Sequence, residues 1–141
     1  MNQIVYDAEN QILGRLCSVV AKQLLQGKAV VVVNAEKAVI AGKPETTKKE
    51  YLAKTARGDP LKGPFFPRTP DGILRRTVRG MLPWHKPRGR QAYKRLKVYT
   101  GVPEAYAKAM EKIKNADADK LKTKYITLGE LAIALGAKKR W

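Results

Sequence analysis

Apolar positions along the first forty residues change rhythm twice. Gln3–Asp7 (QIVYD) is a short β-rich run, and it is followed by LGRLCSVVAKQLLQG, in which Leu13, Leu16, Cys17, Val20 and Leu24 recur at helical spacing. They form a narrow stripe, with Arg15, Ser18 and Lys22 on the far side, so the segment reads as an amphipathic helix ended by Gly27. Ala29–Val33 (AVVVV) is an unbroken β-branched run, the pattern of a central strand covered on both faces. Strand, helix and strand in this order predict parallel pairing through a right-handed crossover.

Beyond this unit the pattern is more broken. NAEKAVIAG reads as a turn and a second short strand closed by Gly42. KPETTKKEYLAKTAR reads as a polar, lysine-rich helix with little apolar face besides Tyr51 and Leu52, either solvated or facing phosphate. Gly58–Gly72 is dense in Pro and Gly and is expected to be irregular, with Phe65 and Phe66 either plugging the core and pinning the loop or docking on a partner. Thr69 as N-cap, Pro70 at the first helical position and Asp71 near the positive end mark the start of the next helix. Arg95–Gly101 supplies another β-rich run, and PEAYAKAMEKIKNA predicts a helix beginning at Pro103. Near the end, Thr127 and Glu130 fit a capping box, Gly136 stops that helix, and residues 137–141 form a short basic tail. One α/β domain accounts for the whole pattern.

Length and composition are compatible with that picture. A chain of 141 residues with 44% hydrophobic content can bury about two-thirds of its unfolded surface without disulfide staples. Cys17 is alone and lies on the apolar side of its helix, so it is expected to be a small buried thiol. Charge changes the picture more: 29 Lys and Arg against 12 Asp and Glu give a formal +17. Such an excess opposes compaction unless a polyanion screens it, and nucleic acid fits because Lys and Arg displace its condensed cations. No apolar run approaches the roughly 20 residues of a spanning helix, and neither a signal peptide nor a lipidation motif is visible. A soluble cytoplasmic protein is expected, without membrane association.

Enzyme signatures are largely missing. The first strand is not followed by G-x-G-x-x-G, and neither Gly27-Lys28 nor Gly42-Lys43 completes a phosphate loop. One His and one Cys cannot build a cysteine- and histidine-based zinc site, and no sequence neighbour orients His85 as a base. The expectation is therefore no catalytic residue, no metal, no cofactor and no small-molecule substrate. A small α/β enzyme acting on a phosphorylated substrate is suggested only by the strand–helix–strand opening.

The charge is concentrated in RRTVRGMLPWHKPRGRQAYKRLK, which runs from Arg75 to Lys97 without an acidic residue. On a helical wheel Ile73, Leu74, Val78, Met81 and Leu82 occupy one half, and Arg75, Arg76 and Arg79 cluster on the other. Arginines on consecutive turns can grip phosphate oxygens while the apolar half anchors the helix. Pro83 then stops the helix and exposes a basic turn, in which Gly89 would let the backbone approach a phosphate between Arg88 and Arg90. Arg90, Lys94 and Lys97 extend the positive surface towards the next strand. Trp84 either stacks on an unpaired base or ribose, or caps the apolar half of the helix.

At these residues RRTVRGMLPWHKPRGRQAYKRLKVYTG closely resembles the signature of the large-subunit ribosomal protein 13 family. LGRLCSVVAKQLLQGKAVVVVNAEKAVIAG resembles the N-terminal half of the same family, and the FFPRTPDGILRRTVRGMLP lead-in and the KPRGR turn are similar to its archaeal and eukaryotic branch. Cys17, where a small Ala is usual, and the Trp84-His85 pair depart from the family pattern. The resemblance implies a three-layer α/β/α domain around a four-stranded parallel sheet, with basic helical and loop extensions. It also implies a structural role in the large ribosomal subunit, bound to large-subunit (23S-type) rRNA early in assembly, with neighbouring ribosomal proteins as partners. RNA-facing candidates are Arg75, Arg76, Arg79, His85, Lys86, Arg88, Arg90, Lys94, Arg95 and Lys97, with Trp84 as a stacking candidate. Gly14 and Arg15 concern the helix start and local packing, although Arg15 could also reach RNA. An RNA-binding regulator acting off the ribosome is the competing reading.

Overall fold

A computed structural model describes residues 3–141. Its first half follows the apolar rhythm closely. β1 (Gln3–Asp7) and β2 (Ala29–Val33) pair in parallel, Gln3 opposite Ala29 through Asp7 opposite Val33, across helix α1 (Leu13–Leu25). α1 ends where Gly27 turns left-handed at φ 92°, with the Lys28 N–H returning to the Gln23 carbonyl and the Gly27 N–H to that of Leu24. That is the double return of a Schellman cap, and its positive φ is what calls for glycine.

After β2 the chain makes a 3-10 turn at Ala35–Lys37, enters β3 (Val39–Ala41) and then the polar helix α2 (Pro44–Ala56). Within α2 only Thr47 is buried, so the helix contributes little to the core. The irregular segment leads to α3 (Pro70–Gly80), capped by Thr69, whose hydroxyl oxygen accepts from the Gly72 N–H at 3.3 Å. α4 (Pro87–Lys94) and β4 (Leu96–Val98) follow, then β5 (Met110–Glu111), β6 (Tyr125–Thr127) and α5 (Leu128–Ala134). The Thr127 hydroxyl caps α5 by accepting from the Glu130 N–H.

Four parallel strands form the main sheet in the order β4-β2-β1-β5, and β3 pairs antiparallel with β6 as a separate two-stranded sheet. The fold class is thus the expected α/β with a four-stranded parallel sheet. Alternation splits the sheet into two faces. Tyr6, Val30 and Val32 join the main core with Leu16, Val20 and Leu24 of α1, Ile73, Leu74 and Val78 of α3, and Leu128 and Leu131 of α5. Burying each such Leu or Ile contributes about 1.5–3 kcal/mol. Val5, Val31 and Val33 face the other way, under Tyr99 and Tyr106, whose rings stack at 5.9 Å.

That second cover corrects the expected helix from Pro103. The segment instead forms a 3-10 turn at Glu104–Tyr106, the edge strand β5, and further 3-10 turns at Lys114–Ala116 and Ala118–Lys120. The physical reason is competition for backbone groups. The open edge of β1 pairs with 110–111, the Ile12 N–H donates to the Ala116 carbonyl at 2.6 Å, and the Ala118 N–H donates to the Asn10 carbonyl. Tertiary pairing overrides a helical propensity worth only tenths of a kcal/mol per residue.

Two loop expectations also change. Phe66 packs on the core edge-on to Tyr51, but Phe65 is 67% exposed and plugs nothing. Gly58 and Gly63 sit back to back, so that a methyl on Gly63 would lie 2.1 Å from the Asp59 nitrogen. This tight ring closes the loop by itself and leaves Leu61 and Phe65 outside.

Candidate nucleic-acid interface

α3 and α4 meet through alternating arginines and aromatic rings. The Arg75 guanidinium lies 4.9 Å from the Tyr93 ring centre, Tyr93 meets Trp84 edge-on at 5.2 Å, and the Arg79 guanidinium lies 4.5 Å from the Trp84 ring. Each contact contributes about 0.5–1 kcal/mol at a partly exposed site. Together they fix the direction of two α3 arginines. Arg75 also donates through Nη1 to the Leu96 carbonyl at 3.2 Å, and Arg76 donates through Nη2 to the Phe65 carbonyl beside the Phe66 ring. All three arginines are half-buried rather than projecting freely. Because a guanidinium has five donors, stacking and one hydrogen bond leave others available to an anion.

Trp84 is half-buried, with Tyr93 at its edge and Arg79 over its ring. Arg90 locks the same turn, donating from Nε to the Trp84 carbonyl at 3.0 Å and from Nη2 to the His85 carbonyl at 3.4 Å. His85, Lys86, Arg88, Arg90, Lys94 and Lys97 are exposed. The ion pair found among the described residues joins Lys112 to Asp7 at 4.0 Å, so none of the cations between Arg75 and Lys97 has an acidic partner there.

Arg95 and Gly89, both expected on the RNA-facing surface, face inward instead. Arg95 donates from Nη2 to the Leu24 carbonyl at 2.6 Å, at the carbonyl-rich end of α1, and its Nε is buried without a partner. Gly89 is buried at the start of α4, where a methyl would lie 2.1 Å from the Pro83 carbonyl oxygen. The expected open phosphate turn is therefore corrected: residues 87–94 are helical, and the bare backbone of Gly89 meets Pro83. Pro87 at the first helical position promotes this helix, a start signal that the sequence carries four residues after the Pro83 stop. Tyr93 was not among the candidates, although the interleaving of aromatics and arginines in WHKPRGRQAY points to it.

Other polar groups serve the fold. At the carboxyl ends of β1 and β2, Asp7 accepts from the Asn34 side chain at 2.9 Å, and the Glu36 carboxylate accepts from the Gly101 N–H at 3.0 Å. Arg15 donates to the Asn115 carbonyl at 3.0 Å, consistent with local packing. Cys17 is fully buried with Sγ 3.9 Å from the Leu74 carbonyl, and burial pushes its thiol far above the usual range. Burial likewise raises the Tyr51 hydroxyl, with smaller contributions from Cys17 and Glu50.

Comparison with known proteins converges on one family. Residues 1–105 match the family model described as Ribosomal protein L13. The large ribosomal subunit protein uL13 of Methanopyrus kandleri is 54% identical over 136 residues, covering 94% of this chain and 86% of that protein. Its counterpart in Methanosarcina barkeri is 54% identical over 138 residues, covering 95% and 98%, and that of Haloarcula marismortui 44% identical over 139 residues, covering 98% and 94%. With a model match over most of its length and archaeal relatives at this identity, the chain belongs to the ribosomal protein L13 family, in its archaeal-type branch.

Proposed function

We infer that the chain is a structural, non-enzymatic constituent of the large ribosomal subunit that binds large-subunit rRNA through the α3–α4 surface and helps early subunit assembly. The observation that carries this reading is the arginine–aromatic ladder beside an exposed, acid-free set of cations. His85, Lys86, Arg88, Arg90, Lys94 and Lys97 take the outer phosphate contacts. Arg75, Arg76 and Arg79 offer their remaining donors from fixed positions, and Trp84 holds Arg79 in place. Arg95 supports the surface from beneath by tying β4 to the end of α1.

The test is affinity for a large-subunit rRNA fragment as a function of salt. Contacts from Lys86, Arg88, Arg90, Lys94 and Lys97 predict a log–log slope of about −3.5 to −4.5, at roughly −0.7 to −0.9 per contact. A flat response refutes the reading. Co-sedimentation with high-salt-washed large subunits separates a stoichiometric constituent from a regulator that acts elsewhere.

A further inference from the structure

A second cationic site lies at the other end of α3. The sequence 137–141, AKKRW, reads as a short basic tail, and the structure folds it back on the protein. Gly136 ends α5 at φ 100°, and the Ala137 N–H donates to the Ala132 carbonyl at 3.0 Å. Trp141 is half-buried and packs so closely on the start of α5 that a methyl on Gly129 would lie 3.1 Å from its indole Nε1. Arg68, from the end of the Pro/Gly-rich loop, reaches the same place, its Nη1 3.6 Å from where a methyl on Gly136 would be. The result is a pocket of about 380 Å³ whose walls include Arg68, Thr69, Asp71, Lys138, Arg140 and Trp141.

Arg68, Lys138 and Arg140 are exposed, and none has an ion-pair partner among the described residues. Asp71 is the opposing charge in the pocket, and it sits in the first turn of α3, where the helix dipole favours it. The pocket is a different surface from the α4 turn. The 11 residues of α3 separate the two by about 16 Å at 1.5 Å per residue.

We propose that this pocket is a second RNA-backbone site, in which Arg68, Lys138 and Arg140 bind phosphate oxygens and the exposed part of the Trp141 indole packs on a ribose or base. Arginine supplies paired donors, lysine a point charge and tryptophan a face that any base can contact, so the site favours RNA without reading its sequence. The proposal rests on the RNA-binding function above and adds a surface to it.

The experiment compares the wild-type chain with R68A/K138A/R140A and with K86A/R88A/R90A on one large-subunit rRNA fragment across a salt series. The pocket variant is expected to bind more weakly, with a slope shallower by about 2, and the two sets of losses should add. If the pocket variant keeps the wild-type affinity and slope while the α4 variant loses both, the second site is overturned and the first stands. If neither variant changes, the RNA-binding function itself fails. Ultraviolet crosslinking of the unaltered protein, followed by cleavage at Glu130 and mapping of the terminal peptide, tests the site without substitution. A nucleotide adduct on Trp141 is expected, and its absence overturns the proposal.

Discussion

Replacing Gly89 by Ala separates two roles for that residue. The Pro83 carbonyl, which already accepts from the Lys86 N–H at 3.0 Å, would have the new methyl 2.1 Å from its oxygen and 2.4 Å from its carbon. Those atoms are backbone, so relief requires α4 to move against the 83–86 turn. Overpacking of this kind costs about 1–3 kcal/mol, against a gain of at most about 1 kcal/mol in helix propensity. A net loss of about 1–2 kcal/mol at this chain length lowers Tm by roughly 3–8 °C. Thermal and urea unfolding of G89A measure it directly. If Gly89 instead stayed bare to admit a phosphate, G89A would melt at or above the wild-type temperature and lose only RNA affinity. That result would refute the packing argument.

Other substitutions address the remaining contacts. W84A should weaken RNA binding several-fold by releasing Arg79, whereas W84F should retain most of it; equal losses in both, measured by filter binding, would assign Trp84 a direct stacking role. R95M should lower stability by about 1–3 kcal/mol in urea titrations by removing the charged bond to Leu24, and an unchanged midpoint would show that bond to be idle. Cys17 should resist thiol reagents at neutral pH until the protein unfolds. Its folded-state pKa is raised by burial, so its contribution to stability is complete below about pH 8.5 and declines above it at up to about 1.4 kcal/mol per pH unit; C17A should remove that part of the decline, and an unchanged pH profile would contradict it.

What could be read from the sequence was local. Leu13, Leu16, Val20 and Leu24 define α1 by spacing alone, and the four consecutive valines of β2 need cover on both faces wherever they sit. Thr69-Pro70-Asp71 and Thr127-x-x-Glu130 set helix starts through atoms three residues apart. The misses are non-local. Tyr106, Met110 and Ile113 repeat at helical spacing, yet the backbone of 110–111 completes the edge of β1, a partner more than a hundred residues away. β3 was legible as a short strand before Gly42, but its partner β6, three residues long and distant in sequence, is too short to stand out by periodicity. Within the basic stretch, charge alone could not distinguish Arg95, turned onto a helix end, from Lys94 and Lys97 on either side of it. Gly89 and Pro87 carry two local meanings each, and only the position of Pro83 decides between them.

The lengths of the strands carry a consequence for the chain before any partner binds. β1 and β2, five residues each, occupy the middle of the sheet, whereas its edges are β4 with three residues and β5 with two. A sheet edge is a template on which another chain can add a strand, and it is most hazardous when long and apolar. Here the exposed residue at the centre of β4 is Lys97, and Glu111 is exposed on β5. Short, charged borders therefore discourage edge-to-edge self-association, and Lys97 guards against aggregation in the free protein with the same charge it is proposed to present to RNA.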